Sequence, residues 1–167
     1  YYFISSSDHN TSEQYYFDID EKEPKPKLIQ KREKGILYSV SSWNGYFYMH
    51  TNKNAEDFKI YKSDNKNFEN WETFISDKSE TLIGGLTFLK NWIIRSEVSN
   101  ALVKIFVRNL KNNTEEELTF SEEKVYDGGV SLIQKDRNTD SIHISYSTPK
   151  TQSRVYLYNL RTKEKKL

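Results

Sequence analysis

Three observations predict an all-β fold built from repeated four-stranded antiparallel units. Val, Ile, Tyr, Phe and Thr gather in short runs separated by Asn, Asp, Lys, Ser and Gly, and no window sustains apolar residues at helical spacing. The runs recur with a fixed period: Tyr16, Ile60, Phe106 and Tyr156 occupy equivalent places, spaced 44, 46 and 50 residues apart. A second series, starting at Tyr1, Tyr46, Trp92 and Ile142, follows nearly the same spacing at 45, 46 and 50. Two independent series sharing one period define a structural repeat, and a four-stranded meander repeated at this interval is the signature of propeller blades.

The first unit, residues 1–33, holds YYFIS from Tyr1, EQYYFDID from Glu13 and KLI from Lys27, and lacks the opening strand of the others. The second, residues 36–76, runs ILYSV from Ile36, YFYMH from Tyr46, FKIYKSD from Phe58 and TFI from Thr73. Asn44-Gly45 between its first two strands predicts a two-residue hairpin, since both residues tolerate the positive φ of a type I′ turn. The third, residues 84–120, runs GGLTFL from Gly84, WIIRS from Trp92, LVKIFVRNL from Leu102 and ELT from Glu117. The fourth, residues 128–167, runs GGVSLI from Gly128, IHISY from Ile142, SRVYLYNL from Ser153 and KKL from Lys165. Polar stretches such as SDNKNFEN and KNNTEE join the outer strands. The expectation is a partial β-propeller of about three and a half to four antiparallel blades, with Tyr1 opening in the middle of a blade.

Composition narrows the partners. A chain of 167 residues at 35% hydrophobic supports one ordinary core, burying roughly 70% of the surface its unfolded form exposes. With 25 Lys plus Arg against 24 Asp plus Glu, the net charge of +1 provides no whole-molecule field for nucleic acid or an anionic membrane. Neither partner is expected. The absence of cysteine removes disulfides, thiolate metal sites and a cysteine nucleophile, and fits a cytoplasmic protein. YYFISSS has no secretory-signal character, and no apolar run approaches the roughly 20 residues of a membrane span. Asn10-Thr11-Ser12 and Asn112-Asn113-Thr114 match the glycosylation pattern but consist of ordinary turn residues.

NGYFYMHTNKNAEDFKIYKSD followed by WETFI, then GGLTFLKNWIIRSEVSNALVKIFV, then SIHISYSTPKTQSRVYLYNLRTKEKKL, resembles the propeller of the oligopeptidase B (protease II) branch of the prolyl oligopeptidase family of serine peptidases. The likeness spans nearly the whole chain. Its most specific parts are Thr51-Asn52-Lys53-Asn54 ahead of Phe58 and Tyr61, and Tyr146-Ser147-Thr148-Pro149 ahead of the last long strand. The resemblance implies the later blades of a propeller that caps an α/β-hydrolase domain, whose Ser, Asp and His cleave short peptides after Lys or Arg. The positions of those catalytic residues have no counterpart between Tyr1 and Leu167, so the resemblance carries none onto this sequence.

The residues themselves offer no catalytic motif. A hydrolase elbow needs G-x-S-x-G, and GVSLI at Gly129–Ile133 lacks the second glycine, so Ser131 belongs to a repeating inner strand. Gly128-Gly129 repeats Gly84-Gly85, which suggests glycine pairs that let the strand enter a crowded centre. His9, His50 and His143 lie far apart without a local ligand cluster, although His50 and His143 fall on nearly equivalent strands. Glu115-Glu116-Glu117 is expected in a strand-joining turn, as solvated charge. No glycine-rich phosphate motif occurs. Tyr46, Phe47, Tyr48, Trp92, Tyr156 and Tyr158 lie inside the repeating strands, where blade packing accounts for them. Lys163 to Lys166 are expected as solvated strand ends. No catalytic, cofactor-binding or metal-binding residue is assigned, and no cofactor.

The function so expected is that of a non-catalytic propeller segment acting as lid and size filter over an α/β-hydrolase domain, present in cis or as a separate chain. Short peptides are the partners of the intact enzyme. A free-standing protein-interaction module from a truncated or split peptidase gene is the alternative. A bare sheet face at each end predicts self-association of the isolated chain.

Overall fold

The computed structural model describes residues 1–64, 68–119, 127–132 and 136–167, with Thr151 described by its backbone alone. The chain divides into two compact units, Tyr1–Ser79 and Glu80–Leu167.

The first unit holds two sheets. Sheet 1 comprises β1 (Tyr2–Ser7), β2 (Ser12–Phe17) and β3 (Lys27–Gln30), and sheet 2 comprises β4 (Tyr38–Trp43), β5 (Tyr46–Thr51), β6 (Lys59–Ser63) and β7 (Glu72–Ile75). The second unit repeats the plan. Sheet 3 comprises β8 (Thr81–Leu89), β9 (Trp92–Ser99), β10 (Leu102–Asn109) and β11 (Thr114–Leu118), and sheet 4 comprises β12 (Asp127–Ser131), β13 (Ser141–Thr148), β14 (Thr151–Asn159) and β15 (Lys165–Lys166). Within each sheet every strand pairs antiparallel with its neighbour in the chain, so each sheet is a simple meander.

Local chemistry closes the hairpins. Trp43 pairs with Tyr46 across Asn44 (φ 49°) and Gly45 (φ 80°), the two-residue turn that Asn-Gly predicts. Ser99 pairs with Leu102 across Asn100 (φ 51°) and Ala101 (φ 60°), the same turn with an alanine where glycine is at ease. The Thr51–Asn54 motif also has a structural reason. Thr51 Oγ1 donates to Leu37 O at 2.9 Å, and the Asn52 amide accepts Leu37 N at 2.7 Å and donates to Gly35 O at 3.0 Å. These bonds tie the end of β5 to the entry of β4.

Each unit buries one inter-sheet core. Between sheets 1 and 2 it is built from Tyr16, Ile29, Tyr38, Val40, Phe47 and Met49. Between sheets 3 and 4 it includes Leu89, Trp92, Ile105, Val107, Ile144 and Leu160. The opposite face of sheet 1 leaves Tyr2, Ile4 and Leu28 exposed.

The repeat needs one correction of phase. Ile60 is fully buried, whereas its sequence counterpart Phe106 is half-buried between the buried Ile105 and Val107. Tyr48 pairs with Lys62 but Ile94 with Val107, so the two hairpins differ in length by one residue. A one-residue step moves a side chain to the other face of its sheet.

Candidate functional site

The seams between sheets are where this fold brings distant side chains together, and the two units build theirs differently. In the first unit, β4 opens sheet 2 with one edge unpaired by strand, and side chains of β2 satisfy it. Ser12 Oγ accepts Tyr38 N at 2.6 Å and donates to Tyr38 O at 2.9 Å, and Gln14 Oε1 accepts Val40 N at 2.6 Å. Tyr38 returns the contact. Its hydroxyl accepts Gln14 N at 2.8 Å and Gln30 N at 3.3 Å and donates to Gln30 O at 2.6 Å, filling the irregularity where the β2–β3 register shifts after Gln14. Burial pushes the Tyr38 phenol above its ordinary pKa.

In the second unit the corresponding seam is incompletely filled. A cleft of 290 Å³ lies between the inward face of sheet 3 and β12, with Gly85, Ser96 and Val103 on one wall and Gly128 and Val130 on the other. The glycine pairs of the sequence thus have unequal roles. A Cβ on Gly84 would stand 2.8 Å from Ser96 O, so backbone approach demands glycine there, whereas one on Gly85 would meet nothing within 4 Å. The space at Gly129 is ordinary, with Ser145 Oγ at 3.6 Å. β8 is irregular at this point, its pairing with β9 shifting between Ile83 and Leu86.

A buried ion-pair network crosses the other face of sheet 3. Arg95 and Glu97 are 6% and 2% exposed, and Arg95 Nε donates to Glu97 Oε1 at 2.9 Å. Glu115 Oε2 accepts both Arg95 at 2.7 Å and Arg108 Nε at 3.0 Å. The Arg95 guanidinium also lies 4.4 Å from the Phe106 ring centre, on its face. Burial raises the Glu115 pKa, but the two arginines outweigh it and hold the carboxyl below its ordinary value. Glu115 is exposed, as the sequence suggests, but it stands in a strand rather than a turn and is paired with two arginines. It lies in β11, where strand alternation turns it toward Arg95. Nothing local announces this, because Arg95 is 20 residues away in sequence.

The remaining candidates disperse. Ser131 stands opposite His143 in the β12–β13 ladder, while Ile133 at the end of the same motif lies outside the described residues, as does the centre of the SDNKNFEN turn. His50 stacks on Phe58 with ring centres 4.6 Å apart, and His9 is exposed. Among the described residues no group of three His, Asp or Glu side chains is placed to hold a metal ion. Phe47 and Trp92 are core residues, and Trp92 Nε1 donates to Asp140 Oδ1 at 2.8 Å. Tyr46 carries Lys62 Nζ at 3.6 Å from its ring centre. Lys163 to Lys166 are exposed, as expected, and Lys163 and Lys165 also have partners. Lys163 pairs with Glu116, burial lowering its pKa, and Lys165 Nζ donates to Tyr146 Oη at 3.1 Å.

Over residues 1–167 the chain matches the family described as prolyl oligopeptidase, N-terminal beta-propeller domain. It belongs to that family. Protease 2 of Moraxella lacunata is 23% identical over 163 residues, covering 98% of this chain and 23% of the relative. Oligopeptidase B from Trypanosoma brucei, solved with covalently bound antipain in a closed form, superposes with a TM-score of 0.86 at 22% identity, over 98% of this chain and 25% of that one. Oligopeptidase B from Leishmania major gives 0.80 at 14% identity, over 98% and 24%. The chain thus spans about a quarter of the length of these relatives. Among the described residues its four meanders are propeller blades of the prolyl oligopeptidase family, three with four strands and the first with three.

Proposed function

We propose that this chain serves as part of the propeller covering the α/β-hydrolase domain of an oligopeptidase B-like serine peptidase that cleaves short peptides after Lys or Arg. The observation that carries the reading is the family match running through the whole of residues 1–167. A cap of packed sheets works by geometry. Folded proteins are too wide to reach a covered nucleophile, short flexible chains are not, and closure keeps bulk water from the acyl-transfer step. The residues of this chain hold the cap together through the Tyr38 seam, the Arg95 network and the two cores, and the catalytic serine and its partners belong to the other domain.

The test is the gene product that carries these residues, assayed on a chromogenic peptide ending in arginine and on a folded protein rich in the same bonds. Rapid cleavage of the peptide with the folded protein left intact is expected, together with a G-x-S-x-G elbow followed by Asp and His in the encoded sequence. An unrelated companion domain, or equal cleavage of both substrates, would overturn the reading. A gene product that ends without any hydrolase domain points instead to a free-standing interaction module.

A further inference from the structure

Sheet 4 holds two tyrosines in contact on the face that carries the buried Ile144. In the β13–β14 ladder Tyr146 pairs with Arg154 and Ile144 with Tyr156, so the tyrosines are diagonal neighbours on one face. Diagonal side chains of an antiparallel pair reach one another when they are aromatic. These two rings stack, with centres 5.3 Å apart and planes 15° from parallel. Their phenolic ends meet, because the Tyr146 and Tyr156 hydroxyls share a hydrogen bond. Tyr1 and Tyr16 also touch, but edge-on, with centres 6.2 Å apart and planes at 68°.

Two cations flank the stacked pair. Lys165 of β15 donates from Nζ to Tyr146 Oη at 3.1 Å and stands 5.3 and 4.8 Å from the Tyr146 and Tyr156 ring centres. Arg154 hydrogen-bonds Tyr156. The bond from Tyr146, followed by Arg154 and Lys165, holds the Tyr156 phenol below its ordinary pKa against the opposing effect of burial. A phenol that releases its proton readily is also the easier one to oxidise, since a phenoxyl radical forms by loss of both a proton and an electron. Sulfur side chains, the usual competing targets of oxidation, are scarce: the chain has no cysteine, and its one methionine, Met49, is buried.

We propose that Tyr146 and Tyr156 form an oxidative cross-linking site, where a diffusible one-electron oxidant joins them carbon to carbon as dityrosine. The oxidant takes one electron from each phenol and each hydroxyl loses its proton, which leaves two phenoxyl radicals. Their unpaired electrons spread onto the ring carbons beside the hydroxyl-bearing carbons, and one such carbon from each ring pairs to make the new bond. Each coupled carbon then passes its hydrogen to its own oxygen, restoring both aromatic rings and both hydroxyls. The net loss is two electrons to the oxidant and two protons to water. Stacking with the hydroxyls together brings the coupling carbons of the two rings close, as an edge-on pair does not. The product ties β13 to β14 by a bond that thiols do not reverse. The site is a property of this chain and is independent of the cap role proposed above.

The test irradiates the chain briefly with tris(bipyridyl)ruthenium and persulfate, isolates the monomeric product and maps it by tryptic mass spectrometry. A product lighter by two hydrogen atoms is expected, in which the fragments 138–150 and 155–161 stay joined through Tyr146 and Tyr156. Tyr156→Phe is expected to lose this joined pair and Tyr158→Phe, altered in the same fragment, to keep it. The wild-type map decides the matter even if Tyr156→Phe folds poorly. Oxidation in urea, where the stack is absent, is expected to scatter the links among other tyrosines. A main link through Tyr158 or any other tyrosine, singly oxidised tyrosines without a link, or an equal yield of the same link in urea would overturn the proposal.

Discussion

The hydroxyl of Tyr38 stands 2.8 Å from the backbone nitrogen of Gln14, 24 residues away and in the neighbouring sheet, while the Gln14 side chain accepts the amide of Val40. Each sheet thus closes a gap in the other's backbone bonding. Tyr38→Phe keeps the ring and removes the hydroxyl, leaving the amides of Gln14 and Gln30 and the Gln30 carbonyl without it. The expected cost is about 1–3 kcal/mol, read as a lower urea midpoint at unchanged slope. Amide exchange should quicken at Gln14 and Gln30 in particular. Unchanged exchange there would show that the hydroxyl does not close the gap.

Arg95 is the hub of a network whose other buried member, Glu97, is 2% exposed. Arg95→Ala leaves that carboxylate without its guanidinium partner and is expected to destabilise the protein by about 3–5 kcal/mol. Replacing both, as Arg95→Met with Glu97→Leu, is expected to recover much of the loss, because an apolar pair needs no charge compensation. A double variant no better than Arg95→Ala would argue that the network's value lies in the remaining bonds to Glu115.

Glu115 gives this network a pH dependence of defined sign. Its pKa in the folded chain lies below the ordinary 4.5, so between the two values the unfolded chain binds more protons and stability rises with pH. The contribution is complete above 4.5 and is lost as pH falls through the folded value. Acid titration of stability should therefore be shallower in Glu115→Gln than in the wild type, with the difference confined to pH below about 4.5. Parallel curves would remove Glu115 from the linkage.

Gly84 and Gly85 are adjacent and should respond oppositely to the same change. Alanine at Gly84 drives a methyl onto the Ser96 backbone and is expected to cost about 1–3 kcal/mol. Alanine at Gly85 meets open space at a φ that side chains accept, and is expected to be neutral or slightly stabilising, as fewer unfolded conformations remain. Calorimetric melting of the two variants tests the pair. Equal effects would contradict the asymmetry.

Ala101 occupies the second position of a hairpin turn at φ 60°. Side-chain crowding in that region costs an L-residue about 1–2 kcal/mol, against about 0.5–1 kcal/mol of added unfolded-state freedom for glycine. Ala101→Gly should raise the melting temperature and bring the turn to the Asn-Gly form already present at Asn44-Gly45. A lower melting temperature would mean that Ala101 packs against something that glycine cannot replace.

Much of the architecture is legible in the chain itself. The period that relates Tyr16, Ile60, Phe106 and Tyr156 marks β2, β6, β10 and β14, and Asn44-Gly45 marks a turn, because strand alternation and turn chemistry act between near neighbours. Side-chain phase is less legible. One residue of difference between hairpins puts Ile60 and Phe106 on unlike faces, and a period of many residues does not register a single step.

The sequence alone determined a repeated antiparallel meander and the family to which it belongs, since both rest on patterns carried within each short run. Only the tertiary structure decided that Tyr38 would lock one seam, that a cleft would stay open beside β12 in another, and that Glu115 would pair with Arg95 and Arg108. Those outcomes depend on which residues of separate strands meet across a seam or a sheet. The free energy of such meetings, in desolvation and completed hydrogen bonds, exists only once the chain has brought them together.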